Sequence, residues 1–126
     1  KANYELKTDN SSNAWERLVS ACYALNNTPA NVFRDQVEDY FAVDRWLWFL
    51  AVENIFADDD SYWNKGADYM MYFEPETGRL HPVEHDGNEA FVAGDAQLSP
   101  VLGTGNTSSV LGRLAILPRC LGRFKA

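Results

Sequence analysis

Residues 56–72 read FADDDSYWNKGADYMMY, and what this stretch joins at its two ends decides the fold. Upstream lies an apolar, aromatic run, VDRWLWFLAVENIF (43–56), which ends where three successive carboxylates, Asp58, Asp59 and Asp60, begin. If the run is a helix, these acids sit at its negative end, where Lys or Arg would be favourable. Something must offset that repulsion. Downstream, DYMMYF (68–73) and RLHPVEH (79–85) are β-like segments joined by EPETG (74–78), a turn with proline and glycine in useful places. Asp86-Gly87-Asn88 follows at once. A strand rises about 3.3 Å per residue, so two strands of similar length bring their outer ends back together. The hairpin is therefore expected to set Asp58–Asp60 and Asp68 beside Glu84 and Asp86.

Working outward, NYELK (3–7) alternates apolar and polar and predicts a short strand. TDNSSN (8–13) reads as a turn, with Asn13 placed to cap a helix and Glu16 completing a near capping box. From Ala14 to Leu25, Trp15, Leu18, Val19, Cys22 and Leu25 recur at helical spacing. Thr28-Pro29 resembles an N-cap followed by proline at the first helical position. Phe33, Val37, Tyr40 and Phe41 mark one face of a second helix. Asp44 is the expected cap of a third, running to about Phe56. Its Trp46, Leu47, Phe49, Leu50 and Ile55 read as core, and Trp48 widens the apolar arc towards burial on more than one side. Beyond Phe91, SPVLGTGNTSSVLGRL (99–114) reads as a loop leading into a short helix.

The expected organisation is one α+β unit: a strand within 1–8, helices over about 13–56, an acidic loop 57–68, a hairpin 69–85, an acidic turn 86–91, and a C-terminal loop and helix 92–126. The chain of 126 residues, opening on Lys1, is read as a segment of a longer protein.

A formal charge of −7 argues against general binding to nucleic acid or anionic membrane. No run of about 18 apolar residues is present, so membrane insertion by this segment is not expected. Cys22 and Cys120 stand far apart and form no metal-ligand pattern; a reduced pair is the plain expectation.

Acidic balance does suit metal cations. Mg²⁺ takes one or two protein carboxylates and completes its shell with water and phosphate oxygens, so a divalent ion between the converging acids would relieve their repulsion. Against this, Asp-rich loops are commonly solvated turn formers. Asp58–Asp60 lacks the alternating acids and sixth-position glycine of an EF-hand. His81 and His85 would share a strand face, but no third ligand has zinc spacing. A glycosidase pair such as Asp60 and Asp86 would need one carboxyl in an apolar pocket, whereas these stand among other acids. Trp46 and Trp48 read as core rather than a carbohydrate platform, and Met70 and Met71 as strand filler. Tyr62 and Trp63 suit exposed contacts or packing over the hairpin.

The block DDDSYWNKGADYMMYFEPETGRLHPVEHDGNEAF (58–91) resembles the core signature of the spore coat protein H (CotH) kinase-like family. Members carry an Asp in a loop after a helix, a polar residue before an aromatic strand, a PxTGR-type turn, and then a closely spaced acid pair followed by phenylalanine. YELKTDNSSNAW (4–15) and LGRLAILPRCLGRF (111–124) also resemble family segments.

The resemblance implies the helical lobe of an atypical protein-kinase-like fold, its N-terminal lobe lying before Asn3, with ATP and Mg²⁺ (or Mn²⁺) as cofactors and a protein as substrate. It implies that Asp60 is the catalytic carboxylate and Asp86 the principal metal ligand, with Asp68, Asn88 and Glu84 supporting. Because the loop before Tyr69 is longer than the family's, Asp59 with Asn64 is an alternative match. The segment alone is expected not to transfer phosphate. It further implies a secreted, cell-surface or spore-coat setting. The rival expectation is a catalytically silent surface or adhesion module of the same fold, with or without a structural Ca²⁺.

Overall fold

In the computed structural model the residues described are 4–8, 13–58, 60–62 and 66–91. The element order is α1 (Ala14–Asn27), α2 (Ala30–Gln36), a 3₁₀ turn (Val37–Asp39), α3 (Val43–Phe56), β1 (Tyr69–Glu74), β2 (Arg79–Glu84) and a second 3₁₀ turn (Gly87–Glu89). The two strands form an antiparallel pair from Tyr69↔Glu84 to Glu74↔Arg79. Residues 75–78 close the pair: Gly78 takes φ +73° and donates its N–H to the Glu74 carbonyl at 2.9 Å. A left-handed backbone there is what glycine permits at low cost. Mixed helix and small antiparallel sheet make this an α+β unit.

Trp46 ties the helices to the hairpin. It is 1 % exposed, its Nε1–H donates to the Leu80 carbonyl at 3.0 Å, and its ring meets Phe41, Phe49 and Tyr62. The same Leu80 carbonyl accepts from Ala42 N–H at 3.1 Å, while Leu80 N–H donates to Tyr40 at 2.8 Å. Phe41 and Leu80 thereby pair like a short parallel bridge. Around this strut Ala21, Leu25, Phe33, Val37, Val43 and Leu47 close the core.

Several local expectations are corrected. Residues 4–7 form no strand; Tyr4 instead reaches β1 by a hydroxyl hydrogen bond to Tyr69. Asn13 adopts a left-handed conformation and makes no side-chain cap. Thr28 ends α1 rather than starting α2, whose N-cap is Pro29. Ala42 precedes α3, so Asp44 lies in its first turn, where its charge still suits the helix dipole. The buried side of α1 is Ala21 and Leu25; Trp15, Val19 and Cys22 are exposed. Trp48 and Ile55 are 72 % and 61 % exposed, so the described residues bury α3 on one side only.

The end of α3 sets the acidic loop's direction. Ala57 is left-handed, with φ 50° and ψ 45°. Its N–H bonds the Asn54 carbonyl at 3.2 Å, and the Asp58 N–H bonds the Glu53 carbonyl at 3.4 Å. This is the pattern of a Schellman cap, whose left-handed position is ordinarily glycine. A β-carbon there is unfavourable by about 1–2 kcal/mol. Ala57→Gly is therefore expected to stabilise the protein by about 0.5–1 kcal/mol once the greater freedom of the unfolded glycine is discounted. A urea titration checks it; a loss of stability would contradict the cap.

Candidate functional site

Two staples fold the acidic loop and the acidic turn onto one end of the hairpin. On the loop side, Tyr62 packs between Trp46 (centroids 5.3 Å) and Tyr69 (4.6 Å), and its N–H donates to Glu53 Oε1 at 3.2 Å. On the turn side, Phe91 N–H donates to the Phe56 carbonyl at 2.8 Å and the two rings stack edge-on at 5.2 Å. The chain after β2 is thus pinned to the C-terminus of α3, next to Asp58.

The carboxylates brought together are Asp58, Asp68 and Glu84. A β-carbon built on Gly87 would lie 3.7 Å from Asp58 Oδ2 and 3.9 Å from Glu84 Oε1, so both acids face one point above that glycine. Partial burial, and then the charges of Asp58 and Asp68, raise the Glu84 carboxyl above its usual range, against the pull of the His85 N–H that Glu84 accepts at 3.2 Å. The acids repel one another across the hairpin end, as the convergence requires.

Among the three successive aspartates, Asp58 is the one buried, at 7 % exposure. Its Oδ1 accepts the Asp60 N–H at 3.2 Å, an Asx-type turn, while Oδ2 turns towards Gly87. Turn former and site member are here the same side chain. Asp60 is half-buried directly behind it. Asp59, Trp63 and Asn64 lie outside the described residues. Asp86 and Asn88 are exposed on the turn beyond β2.

Backbone geometry fits the residue types. Asp68 has φ 44° and Asp86 φ 61°, and Asp and Asn are the non-glycine residues that enter the left-handed region most readily. Ala57 and Phe91, at φ 50° and 63°, share that region without such a preference.

Glu53 went unremarked in the sequence. It is 2 % exposed and holds the acidic loop through the Tyr62 N–H. The signal was present: it is the one acid in the second half of α3, where Asn54 is the only other polar residue. The histidines separate. His81 is half-buried on β2 with Nε2 3.4 Å from Glu74 Oε2, near the hairpin turn, whereas His85 follows β2 at the acidic end. The distance allows an ion pair, but Nε2 has no hydrogen-bond partner, so its alignment with Glu74 is poor.

The donor set consists of hard carboxylate oxygens, which suit Mg²⁺, Mn²⁺ or Ca²⁺ rather than a thiophilic metal. Among the described residues no three acidic, histidine or cysteine side chains stand ready as a complete ligand group.

Glu84→Gln gives a direct reading of the repulsion. A carboxyl raised on folding stabilises the folded state below its unfolded value, and that contribution is lost as pH rises through the folded value. Relative to Glu84→Gln, the parent should therefore lose stability as pH rises above about 4. Thermal unfolding of the pair at pH 4 and pH 7.5 checks this. A variant less stable than the parent at pH 7.5 would contradict it.

The described residues form an α+β unit that presents Asp58, Asp68 and Glu84 at the open end of a hairpin. The model of the family described as CotH kinase protein matches residues 1–109. The chain belongs to the CotH kinase family. A search of the curated proteins found no match. LGRLAILPRCLGRF (111–124) falls beyond the matched residues. No helix among the described residues is long and apolar enough to cross a membrane.

Proposed function

We propose that this chain is the acid-bearing part of an atypical kinase that transfers the γ-phosphoryl group of ATP to a protein substrate with Mg²⁺ or Mn²⁺. The observation that carries the reading is the convergence of Asp58 and Glu84 on Gly87, with the charge of Asp68 also acting on Glu84, within a chain of the CotH kinase family. Asp86, at the turn beside them, is the principal metal ligand, with Asp68, Glu84 and Asn88 supporting it. Asp60 is the carboxylate that accepts the proton of the substrate hydroxyl as its oxygen bonds the γ-phosphorus and ADP leaves; Asp59 is the alternative within the same loop. When bound, the ion neutralises charge on the phosphates. Buried Asp58, fixed by the α3 cap and the Asp60 N–H, holds the loop in register with the hairpin.

The test is Mg²⁺-dependent ATP binding and label transfer from ATP to protein by the intact protein. Both are expected in the parent, and transfer is expected to be lost in Asp60→Asn with binding kept. Neither binding nor transfer in the parent would favour a silent surface module. A strong rise in melting temperature with Ca²⁺ and none with Mg²⁺-ATP would assign the acids to a structural Ca²⁺ site.

A further inference from the structure

An open cavity of about 340 Å³ lies between α1, the end of the first 3₁₀ turn and the closed end of the hairpin. It is distinct from the acid cluster: Phe73 and Leu80, which line it, pair four residues along the strands from Tyr69 and Glu84, about 13 Å away. Its volume falls at the lower end of the range of small-molecule sites, about 300–1,000 Å³. The floor is apolar, with Ala21 and Leu80 1 % and 5 % exposed.

The rim carries one charge of each sign, Arg17 on α1 and Asp39 on the 3₁₀ turn, both exposed. Arg17 sets its guanidinium over the Phe73 ring, 4.3 Å from the centroid, and a β-carbon built on Gly78 would lie 3.9 Å from its Nη1. Stacking holds one face of the guanidinium and leaves its N–H edge to bond in its own plane. Among the described residues neither Arg17 nor Asp39 makes an ion pair.

We propose that this cavity binds a free α-amino acid with an apolar side chain, its carboxylate on Arg17, its ammonium on Asp39 and its side chain over Ala21 and Leu80. Charge selects the class. A simple anion attracted by Arg17 is repelled by Asp39, and a simple cation meets the reverse; a zwitterion satisfies both. Size agrees. A sphere of this volume is about 9 Å across. An amino acid holds its charges about 3 Å apart, and with a charge-assisted hydrogen bond at each end it spans about 9 Å. The site does not depend on any ion bound at the acid cluster.

The test is an amide chemical-shift titration of the intact protein with L-leucine. Saturable shifts are expected at Ser20, Asp39 and Gly78, with those of Asp58, Glu84 and Asp86 unmoved. Leucine amide lacks the carboxylate and N-acetyl-leucine the ammonium, and each should bind at least about tenfold more weakly, as loss of a hydrogen bond to a charged group requires. Arg17→Gln and Asp39→Asn should each weaken L-leucine by a similar factor. The two analogues probe the same contacts in the parent, so a folding failure in a variant leaves the test intact. The proposal is overturned if L-leucine gives no saturable shift at these residues up to about 10 mM. It is overturned equally if either analogue binds as well as L-leucine, or if either folded variant binds it as the parent does.

Discussion

Asp86→Asn is expected to abolish Mg²⁺-dependent ATP binding by the intact protein while leaving its thermal midpoint within about 2 °C of the parent. The substitution is chosen by backbone geometry. Asp86 sits at φ 61°, a region asparagine enters readily and alanine does not, so Asp86→Ala would mix local strain with loss of the ligand. The side chain is exposed, and removing one negative charge from an acidic neighbourhood does not penalise folding. Loss of an outer-shell partner typically weakens a metal site by about 10–100-fold; loss of the principal ligand should weaken it by at least about a hundredfold. Glu89→Gln removes the same charge from the 3₁₀ turn that Asp86 precedes and should leave binding within about threefold, as a change in the general field alone would. Equal losses in the two variants would reduce the effect to bulk electrostatics and remove Asp86 from its assigned role. Isothermal titration with Mg²⁺-ATP distinguishes these outcomes.

The second large effect is structural. Trp46→Ala should lower stability by about 3–5 kcal/mol, the range for emptying a large buried aromatic site. Against a domain stability of about 5–15 kcal/mol this is a large share. Three losses coincide: the packing with Phe41, Phe49 and Tyr62, the core strut between α3 and β2, and the Nε1–H donated to Leu80. Trp46→Phe keeps a ring and loses the donor, and a lost hydrogen bond contributes about 1 kcal/mol. Because Tyr62 carries the acidic loop against Tyr69, Trp46→Ala should also slacken the acid cluster, read as weaker Mg²⁺-ATP binding below the unfolding transition. Urea titrations followed by near-ultraviolet circular dichroism give the stabilities. A loss below about 1 kcal/mol for Trp46→Ala, within the scatter of surface substitutions, would contradict the role of Trp46 as the strut.

The hairpin and the approach of Asp58 and Asp68 to Glu84 at its open end were legible in the sequence because a Pro-Glu-Thr-Gly turn fixes the register, and register fixes which ends meet. Helix existence was legible for the same kind of reason, from spacing. Faces were not. An α3 that is apolar all round offers no periodic contrast, so Trp48 and Ile55 read as core although the fold leaves them exposed. On α1 the small Ala21 is buried while Trp15, Val19 and Cys22 face outward, an inversion that residue size conceals. Thr28 and Asp44 were misread as caps because they have the right chemistry, yet the chain enters α2 and α3 through Pro29 and Ala42; Asn13 does stand at the N-cap of α1, but its side chain makes no cap bond. Three identical side chains in succession cannot declare which one turns inward. The left-handed Ala57 decides it for Asp58, and alanine gives no warning of that conformation. Family resemblance supplied the assignments of Asp60 and Asp86, while Glu53, and the choice of Asp58 among the three aspartates, became visible only through burial.

Paramagnetic broadening by Mn²⁺ in the presence of ATP tests the shared acid pocket most directly, because it reports position rather than activity. Resonances of Asp58, Asp68, Glu84 and Asp86 should broaden first and together as Mn²⁺ is added, with those of the distant turn at residues 75–78 unaffected, and excess Mg²⁺ should restore them. Broadening centred elsewhere, or spread evenly over every exposed acid, would contradict a common ion site at the open end of the hairpin.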